Sequence, residues 1–210
     1  MLRALIADDH AILRRGLKEI LAEEFDVAGF GEANNASQVL ELIHRQNWDI
    51  LILDITMPGR SGLEVLKEVK HEYPRLPVLV LSIHPEDQFA IRTLKAGAAG
   101  YMTKENAPEE LIKAIKKVLG GGKYVSSSLA EKLAAELTAD AGKPPHDALS
   151  DREYQVMRMI ASGKTVRVIA DELSLSVKTV STHRARLLEK MKMKNNAELM
   201  YYVLTNHLMG

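Results

Sequence analysis

Trp48-Asp49-Ile50-Leu51-Ile52-Leu53-Asp54-Ile55-Thr56-Met57-Pro58-Gly59-Arg60-Ser61-Gly62 is the stretch on which the fold turns. Ile50 to Leu53 is an unbroken apolar run of strand length, and Met57-Pro58-Gly59 reads as a turn. Asp54 therefore stands at the carboxyl end of a buried strand. In open α/β sheets that end is where ligands and chemistry collect. Taken alone, Asp54 is equally well a strand-ending turn former, so the residues that the rest of the chain brings beside it decide.

Outward from this stretch the same unit recurs. Leu2 to Ala7 is an apolar run that stops at Asp8-Asp9-His10, and Ile12, Leu13, Leu17, Ile20 and Leu21 follow at helical spacing. Val27 to Phe30 is a short second strand. A helix on Ala36, Val39, Leu40 and Ile43 comes next, capped by an Asn at 34 or 35. Beyond Asp54, Leu63, Val65, Leu66 and Val69 mark a third helix. Pro77 to Leu81 is a fourth strand ending at Ser82, and Gln88 to Ala96 is a helix closed by Gly97. Ala98 to Met102 forms a fifth strand before Lys104. Pro108 opens a helix on Leu111, Ile112, Ile115, Val118 and Leu119, which Gly120-Gly121-Gly122 ends. Five short apolar strands alternating with five helices predict a doubly wound five-stranded parallel sheet over residues 1–121, covered on both faces. In that arrangement Asp8, Asp9, Asp54, Ser82 and Lys104 all lie at carboxyl ends of strands and converge on one crevice.

Lys plus Arg equals Asp plus Glu at 28 each, so charge informs only when divided along the chain. Residues 1–148 hold 18 basic and 22 acidic side chains, and residues 149–210 hold 10 and 6. Between Leu173 and Lys194, six cations face the single anion Glu189, which fits a nucleic-acid footprint as well as a solvated helix face. No cysteine is present, which excludes disulfides, thiol catalysis and thiolate metal sites. No apolar segment approaches membrane-spanning length, and acids interrupt the first apolar run before a signal-peptide core forms. A soluble cytoplasmic protein without membrane contact is expected.

Three crowded carboxylates repel one another, and a divalent cation with hard oxygen ligands, most naturally magnesium (Mg2+), keeps them ionised. Asp9 and Asp54 are the expected direct ligands, with Asp8 acting through water and the backbone carbonyl of Thr56 completing the set. Magnesium also accepts phosphate oxygens, Lys104 supplies a point charge and Ser82 a hydroxyl, so the constellation suits a phosphoryl group with Asp54 as its nucleophilic acceptor. His10, a lone imidazole beside the acids, reads as a loop residue.

The Asp8-Asp9 pair, the Asp54-x-x-Met57-Pro58-Gly59 turn, Ser82, Tyr101 and Lys104 resemble the receiver domain of two-component response regulators, a flavodoxin-like fold, over residues 1 to about 120. The resemblance implies phosphoryl transfer from a histidine kinase to Asp54, with Ser82 and Tyr101 repositioned when the phosphoryl group arrives. Many receivers carry a proline after this lysine; Glu105 stands there instead.

After the glycines, Ser126-Ser127-Ser128 offers caps for a short helix from Leu129 to Leu137, and Thr138 to Ala148, with Pro144-Pro145, reads as linker. Residues 122–148 are therefore expected to separate the receiver from a small all-α domain over 149–210. Ser150 and Glu153 have the spacing of a capping box, so a helix begins at Asp151 with Val156, Met159 and Ile160 inward. A second helix runs from Val166 to Leu173, with Val168, Ile169 and Leu173 inward. Ser176 caps a third, reaching about Met193. Helix, tight turn, helix is the DNA-reading unit. Val180, Leu187, Leu188 and Met191 fall on the inner side of the third helix. Lys178, Thr182, Ala185, Arg186 and Glu189 lie opposite, flanked by Thr179 and Ser181, with His183 and Arg184 at the edges. Small polar and basic side chains suit a major groove, and Lys164, Arg167, Lys178, Arg186, Lys190 and Lys192 suit phosphates.

Leu149-Ser150-x-Arg152-Glu153 and Ile169-Ala170-x-x-Leu173-x-x-Ser176-x-Lys178-Thr179-Val180-x-Thr182-His183-Arg184 resemble a LuxR-type helix-turn-helix, and with the receiver in front the whole is similar to the NarL/FixJ family. Thr165-Val166-Arg167-Val168 is less polar than the family's usual opening of the second helix. The resemblance implies a regulator of transcription that binds promoter half-sites as a homodimer, paired through the last helix, Ala197 to Leu208. It is expected to be a phosphoacceptor and not a turnover enzyme. A magnesium-dependent phosphohydrolase would need an acid two residues after Asp54, where Thr56 stands. A nucleotide binder would need a glycine-rich loop where Asp8-Asp9-His10 stands.

Overall fold

Five apolar strands, each followed by a helix, build the first part of the chain. The structure, a computed structural model, describes residues 1–57, 60–84, 86–106, 108–138, 144–206 and 208. Pro58 and Gly59 of the expected turn, Ala139 to Lys143 of the expected linker and His207 of the expected last helix lie outside them. The chain divides into two compact units, Met1–Ala134 and Ala135–Gly210.

In the first unit the elements run β1 (Leu2–Ala7), α1 (Ala11–Glu24), β2 (Val27–Ala33), α2 (Ala36–Arg45), β3 (Ile50–Leu53), α3 (Gly62–Glu72), β4 (Val78–Ser82), α4 (Glu86–Lys95), β5 (Gly100–Thr103) and α5 (Pro108–Leu119); α6 (Ser127–Thr138) follows. The sheet is wholly parallel in the order β2-β1-β3-β4-β5. The expected doubly wound architecture is therefore present. On one face Ala4, Ile6, Ile50, Ile52, Leu79, Leu81 and Met102 pack with Leu17 and Leu21 of α1 and Leu111, Ala114, Ile115 and Val118 of α5. Strand alternation sends the equally buried Leu5, Leu51, Leu53, Val78 and Val80 to the other face. Because both faces are covered, the strands carry no polar alternation.

β2 runs three residues past the expected end at Phe30, through Gly31. A side chain at Gly31 would come within 2.4 Å of the Trp48 ring, so the glycine makes room for the indole, whose Nε1–H donates to the Leu42 carbonyl at 3.0 Å. After α5 the chain returns to the sheet: Tyr124 forms a parallel bridge with Gly100, and its N–H donates to Ala99 O at 2.8 Å. The Tyr124 hydroxyl donates to Glu110 at 2.6 Å; burial and that carboxylate push its pKa up to about 12.

In the second unit a 3-10 turn (Pro145–Ala148) leads to α7 (Asp151–Ala161), α8 (Val166–Glu172), α9 (Val177–Lys190) and α10 (Asn196–Thr205). Ser150 and Glu153 close the expected capping box, and Thr165, Ser176 and Asn195 cap the other three helices. Val156, Met157, Ile160, Ile169, Ala170, Leu173, Val180, Leu187, Leu188, Leu199 and Val203 form the interior. Val168, expected inward, is 41 % exposed. Its N–H is tied to the Thr165 cap, which holds it in the outer first turn of a short helix. Met159, also expected inward, is only half-buried, and Met157 fills the core instead.

Helices α7, α8 and α9 end alike. The residue after each C-cap (Gly163, Ser174, Lys192) has positive φ, and paired N–H bonds close back on the last turn, as in Lys164 N to Met159 O at 3.1 Å and Leu175 N to Ala170 O at 2.8 Å. Only the first of the three is glycine, at φ +84°. Gly163→Ala should cost the second unit about 1 kcal/mol, read as a lower denaturation midpoint, because a Cβ is disfavoured in that conformation.

Candidate functional site

Strand register brings the acids together. Ala7 of β1 pairs with Leu53 of β3, so the next residues, Asp8 and Asp54, emerge side by side, and the Asp54 N–H donates to Ala7 O at 2.8 Å. Both are sealed from solvent, at 2 % and 1 % exposure. Leu53 pairs in turn with Val80, and Ser82 with Thr103, so β4 and β5 add Ser82 and Lys104 to the same rim. The Lys104 N–H donates to Ser82 O at 2.8 Å.

One ammonium serves two carboxylates: Lys104 Nζ lies 2.6 Å from Asp8 Oδ2 and 2.7 Å from Asp54 Oδ2. The other oxygen of Asp54 accepts the Thr56 N–H at 2.8 Å. On the solvent side, His10 Nδ1 is 3.0 Å from Asp8 Oδ1 and 2.8 Å from Asp9 Oδ1. Ligand atoms of Asp8, Asp9, His10 and Asp54 lie within 4.8 Å of one another. His10, set aside in the sequence as a loop residue, thus joins the group. Thr56 Oγ1 is buried with no hydrogen-bond partner among the described residues.

Burial is the largest influence on Asp54 and pushes its carboxyl above the usual range; Lys104 and the Thr56 N–H pull it down, and Asp8 adds to the rise. Burial would lower the Lys104 ammonium, but Asp54 and Asp8 outweigh it and hold its pKa above the ordinary value. Three carboxylates gather here around one lysine, and their hard oxygen atoms are donors of the kind that could hold a metal ion.

Ser82 and Tyr101 flank this pocket, both fully buried. The Ser82 Oγ accepts the His84 N–H at 3.1 Å, and the Tyr101 hydroxyl donates to His84 O at 2.7 Å, so both residues grip the loop between β4 and α4. After Lys104 the chain turns with the Asn106 side chain accepting the Thr103 N–H at 3.0 Å, and the described residues contain no cis peptide bond.

Two further residues hold the site and escaped the sequence. Arg14 of α1 donates to the Asp8 carbonyl at 2.7 Å and to Glu32 of β2 at 3.1 Å. Gly62 opens α3 against the Asp54 peptide, where a Cβ would stand 2.1 Å from Asp54 O. A cation one turn after the acid pair, and a glycine just inside a capped helix, were the only signals.

In the second unit α9 presents Lys178, Ser181, Thr182, Ala185 and Arg186 to solvent, with Thr179 and His183 half-buried beside them. Arg167 of α8 is exposed as well. Thr182 and Ser181 bond back to carbonyls four residues earlier, at 3.0 and 2.8 Å, which keeps the face low. Lys190 donates to Glu153 at 2.6 Å and Lys164 to Glu172 at 2.5 Å, so both cations have partners within the unit. Burial would raise Glu153, but Lys190 and the Ser150 N–H hold its pKa below the usual range. Arg184 donates to Asn196 at 2.7 Å and ties α9 to α10.

Comparison with known proteins covers both units. Residues 4–116 match the family model of the response regulator receiver domain, and residues 147–203 that of bacterial regulatory proteins of the luxR family. The chain is 37 % identical to the response regulator GacA of Pseudomonas aeruginosa over 200 residues, covering 95 % of this chain and 94 % of GacA. It is also similar to RcsB of Salmonella enterica serovar Typhimurium, solved bound to promoter rprA with the phosphomimetic BeF3-. The TM-score is 0.66 and the identity 29 %, over 97 % of this chain and 98 % of that one. A further structure shows two RcsB dimers bound to two parallel DNAs, with TM-score 0.60 and 27 % identity over 97 % and 98 % of the chains.

Proposed function

Because the chain belongs to the two-component response regulators that join a receiver to a luxR-type regulatory domain, we propose that phosphoryl transfer from a sensor histidine kinase to Asp54 gates its dimerisation and its binding to promoter half-sites. The single observation that carries this reading is the convergence of Asp8, Asp54 and Lys104, with one ammonium spanning two buried carboxylates. A carboxylate oxygen of Asp54 attacks phosphorus, the P–O bond forms, and the P–N bond to the kinase imidazole breaks. Lys104 shifts its charge from the carboxylates to a phosphoryl oxygen, and the Ser82 hydroxyl donates to another.

Asp9 and Asp54, with the Thr56 carbonyl and Asp8 through water, would hold Mg2+; hard carboxylate oxygens that outnumber the one ammonium beside them fit that ion. Bound there, it would offset charge on the transferring phosphoryl group. With Thr56 in place of a second acid, the protein acts as a phosphoacceptor and not as a turnover enzyme.

Moving Ser82 frees the His84 N–H, and the loop that Tyr101 grips is then repositioned. In the second unit the exposed face of α9 enters the major groove: Lys178, Thr179, Ser181, Thr182, His183, Ala185 and Arg186 face the DNA, with Lys164, Arg167 and Lys190 near its phosphates. Met200, Tyr201 and Leu204 leave an apolar strip on α10 that suits a second protomer, in keeping with the dimers that RcsB forms on DNA. No helix among the described residues is long and apolar enough to cross a membrane, and we place the protein in the cytoplasm with its kinase and promoter.

Intact mass after incubation with a small phosphodonor and Mg2+ tests this. The wild type should gain one phosphoryl group and Asp54→Asn none. A gain that persists in the variant would move the acceptor elsewhere, and no gain in the wild type would sink the phosphoryl reading.

A further inference from the structure

The loop from β1 to α1 carries both Asp8 and Asp9, and its main chain is held from β2 on two sides. The Asp8 N–H donates directly to Ala33 O at 3.0 Å. The Asp8 carbonyl is reached through Arg14, whose Nη1 donates to it at 2.7 Å while Nε donates to Glu32 Oε2 at 3.1 Å. The guanidinium thus uses its rigid fork in two directions, one on the loop and one on β2. The Arg14 side chain is only 14 % exposed, unlike a loose surface pair, and Lys18, one turn along α1, holds the other oxygen of Glu32.

The Asp8 carbonyl belongs to the same planar peptide as the Asp9 N–H, so whatever fixes that carbonyl fixes the plane from which Asp9 departs. We infer that Arg14, seated by Glu32, is a positioning residue for the divalent cation: it sets the direction in which Asp9 presents its carboxylate. The inference rests on the proposed role of Asp9 as a metal ligand.

Two effects of Arg14 have opposite signs. As a cation near the pocket it repels a metal ion, so on charge alone its removal would tighten binding. As a positioning group its removal loosens binding, and partners that orient metal ligands commonly account for about 10–100-fold in affinity. The sign of the change therefore separates the two roles.

The test is calorimetric titration of Mg2+ into the full chain as wild type, Arg14→Ala, Arg14→Lys and Arg15→Ala, with circular dichroism confirming that each is folded. Arg14→Ala should bind Mg2+ about tenfold more weakly. Arg14→Lys, which keeps the charge and loses the fork, should also be weakened. Arg15→Ala should match the wild type, because Arg15 is 81 % exposed and pairs only with Glu19, at 3.0 Å, among the contacts described. Unchanged or tighter binding by Arg14→Ala overturns the inference. If that variant does not fold, unchanged affinity in Arg14→Lys overturns it in the same way. A wild type that binds no Mg2+ overturns the metal reading of the acidic pocket and this inference with it, and that outcome is distinct from a wild type and variants that bind alike.

Discussion

Lys104→Met should lower the stability of the receiver unit by about 3 kcal/mol at pH 7, because it leaves two buried carboxylates without their shared cation. The loss has a ceiling. Once the repulsion exceeds the cost of carrying a proton, the pair takes one up; from an ordinary value of 3.8 to pH 7 that cost is roughly 4 kcal/mol. The sign with pH follows. The folded-state pKa of Asp54 is already raised, so its contribution favours folding below 3.8 and is lost as pH rises through the folded value. Without Lys104 the folded value rises further, so the decline extends to higher pH, at up to about 1.4 kcal/mol per pH unit. Urea denaturation of both proteins in chelator from pH 4 to 8 measures it, and a difference that does not grow with pH would refute the argument. Added Mg2+ should restore part of the loss in the variant, since an ion that binds only the folded state stabilises it.

Gly62→Ala should be comparably severe for a reason of shape. The new methyl would lie 2.1 Å from Asp54 O and 2.6 Å from Ile55 Cα, both main-chain atoms that cannot rotate away. Either α3 withdraws from the loop, breaking the Gly62 N–H bond to Ile55 O at 3.1 Å and straining the Ser61 cap, or the Asp54 peptide moves. A cost of about 3 kcal/mol is expected from such overpacking, seen as a fall of roughly 10 °C in the melting of the unit. Phosphoryl uptake at a temperature where the variant is still folded should fall as well, because the displaced peptide carries the proposed acceptor, Asp54. Gly16, where an added Cβ would meet no other part of the protein within 4 Å, is the control: alanine there should be neutral or slightly stabilising.

The parallel sheet and the rim of Asp8, Asp54, Ser82 and Lys104 were legible because each ends or directly follows an apolar strand, so one-dimensional order already encodes which end of the sheet they share. What joins them was not. That Lys104 spans Asp8 and Asp54, with Asp9 left to His10, depends on side-chain reach across neighbouring strands, which spacing does not carry. Arg14 escaped notice because its partners, the loop after β1 and a residue of β2, stand 6 and 18 residues away. β2 was read only to Phe30 because Gly31 interrupts its pattern, and the reason for that glycine is an indole that is not its neighbour in sequence. In the second unit the caps were visible, being local. Lys190 read as a phosphate contact alone, since its pairing with Glu153 closes 37 residues apart.

The bridge between Tyr124 and Gly100 bears on how this protein is best divided for study. β5 is an outer strand, and a bare outer strand is a template for edge-to-edge association. Tyr124 pairs with the start of that rim, and Gly100 permits the approach, since a Cβ there would lie 3.0 Å from both Tyr124 Cβ and Tyr124 O. An isolated receiver ended at the last turn of α5 would lose this pairing and should associate more readily than one extended past Ser126, which keeps it.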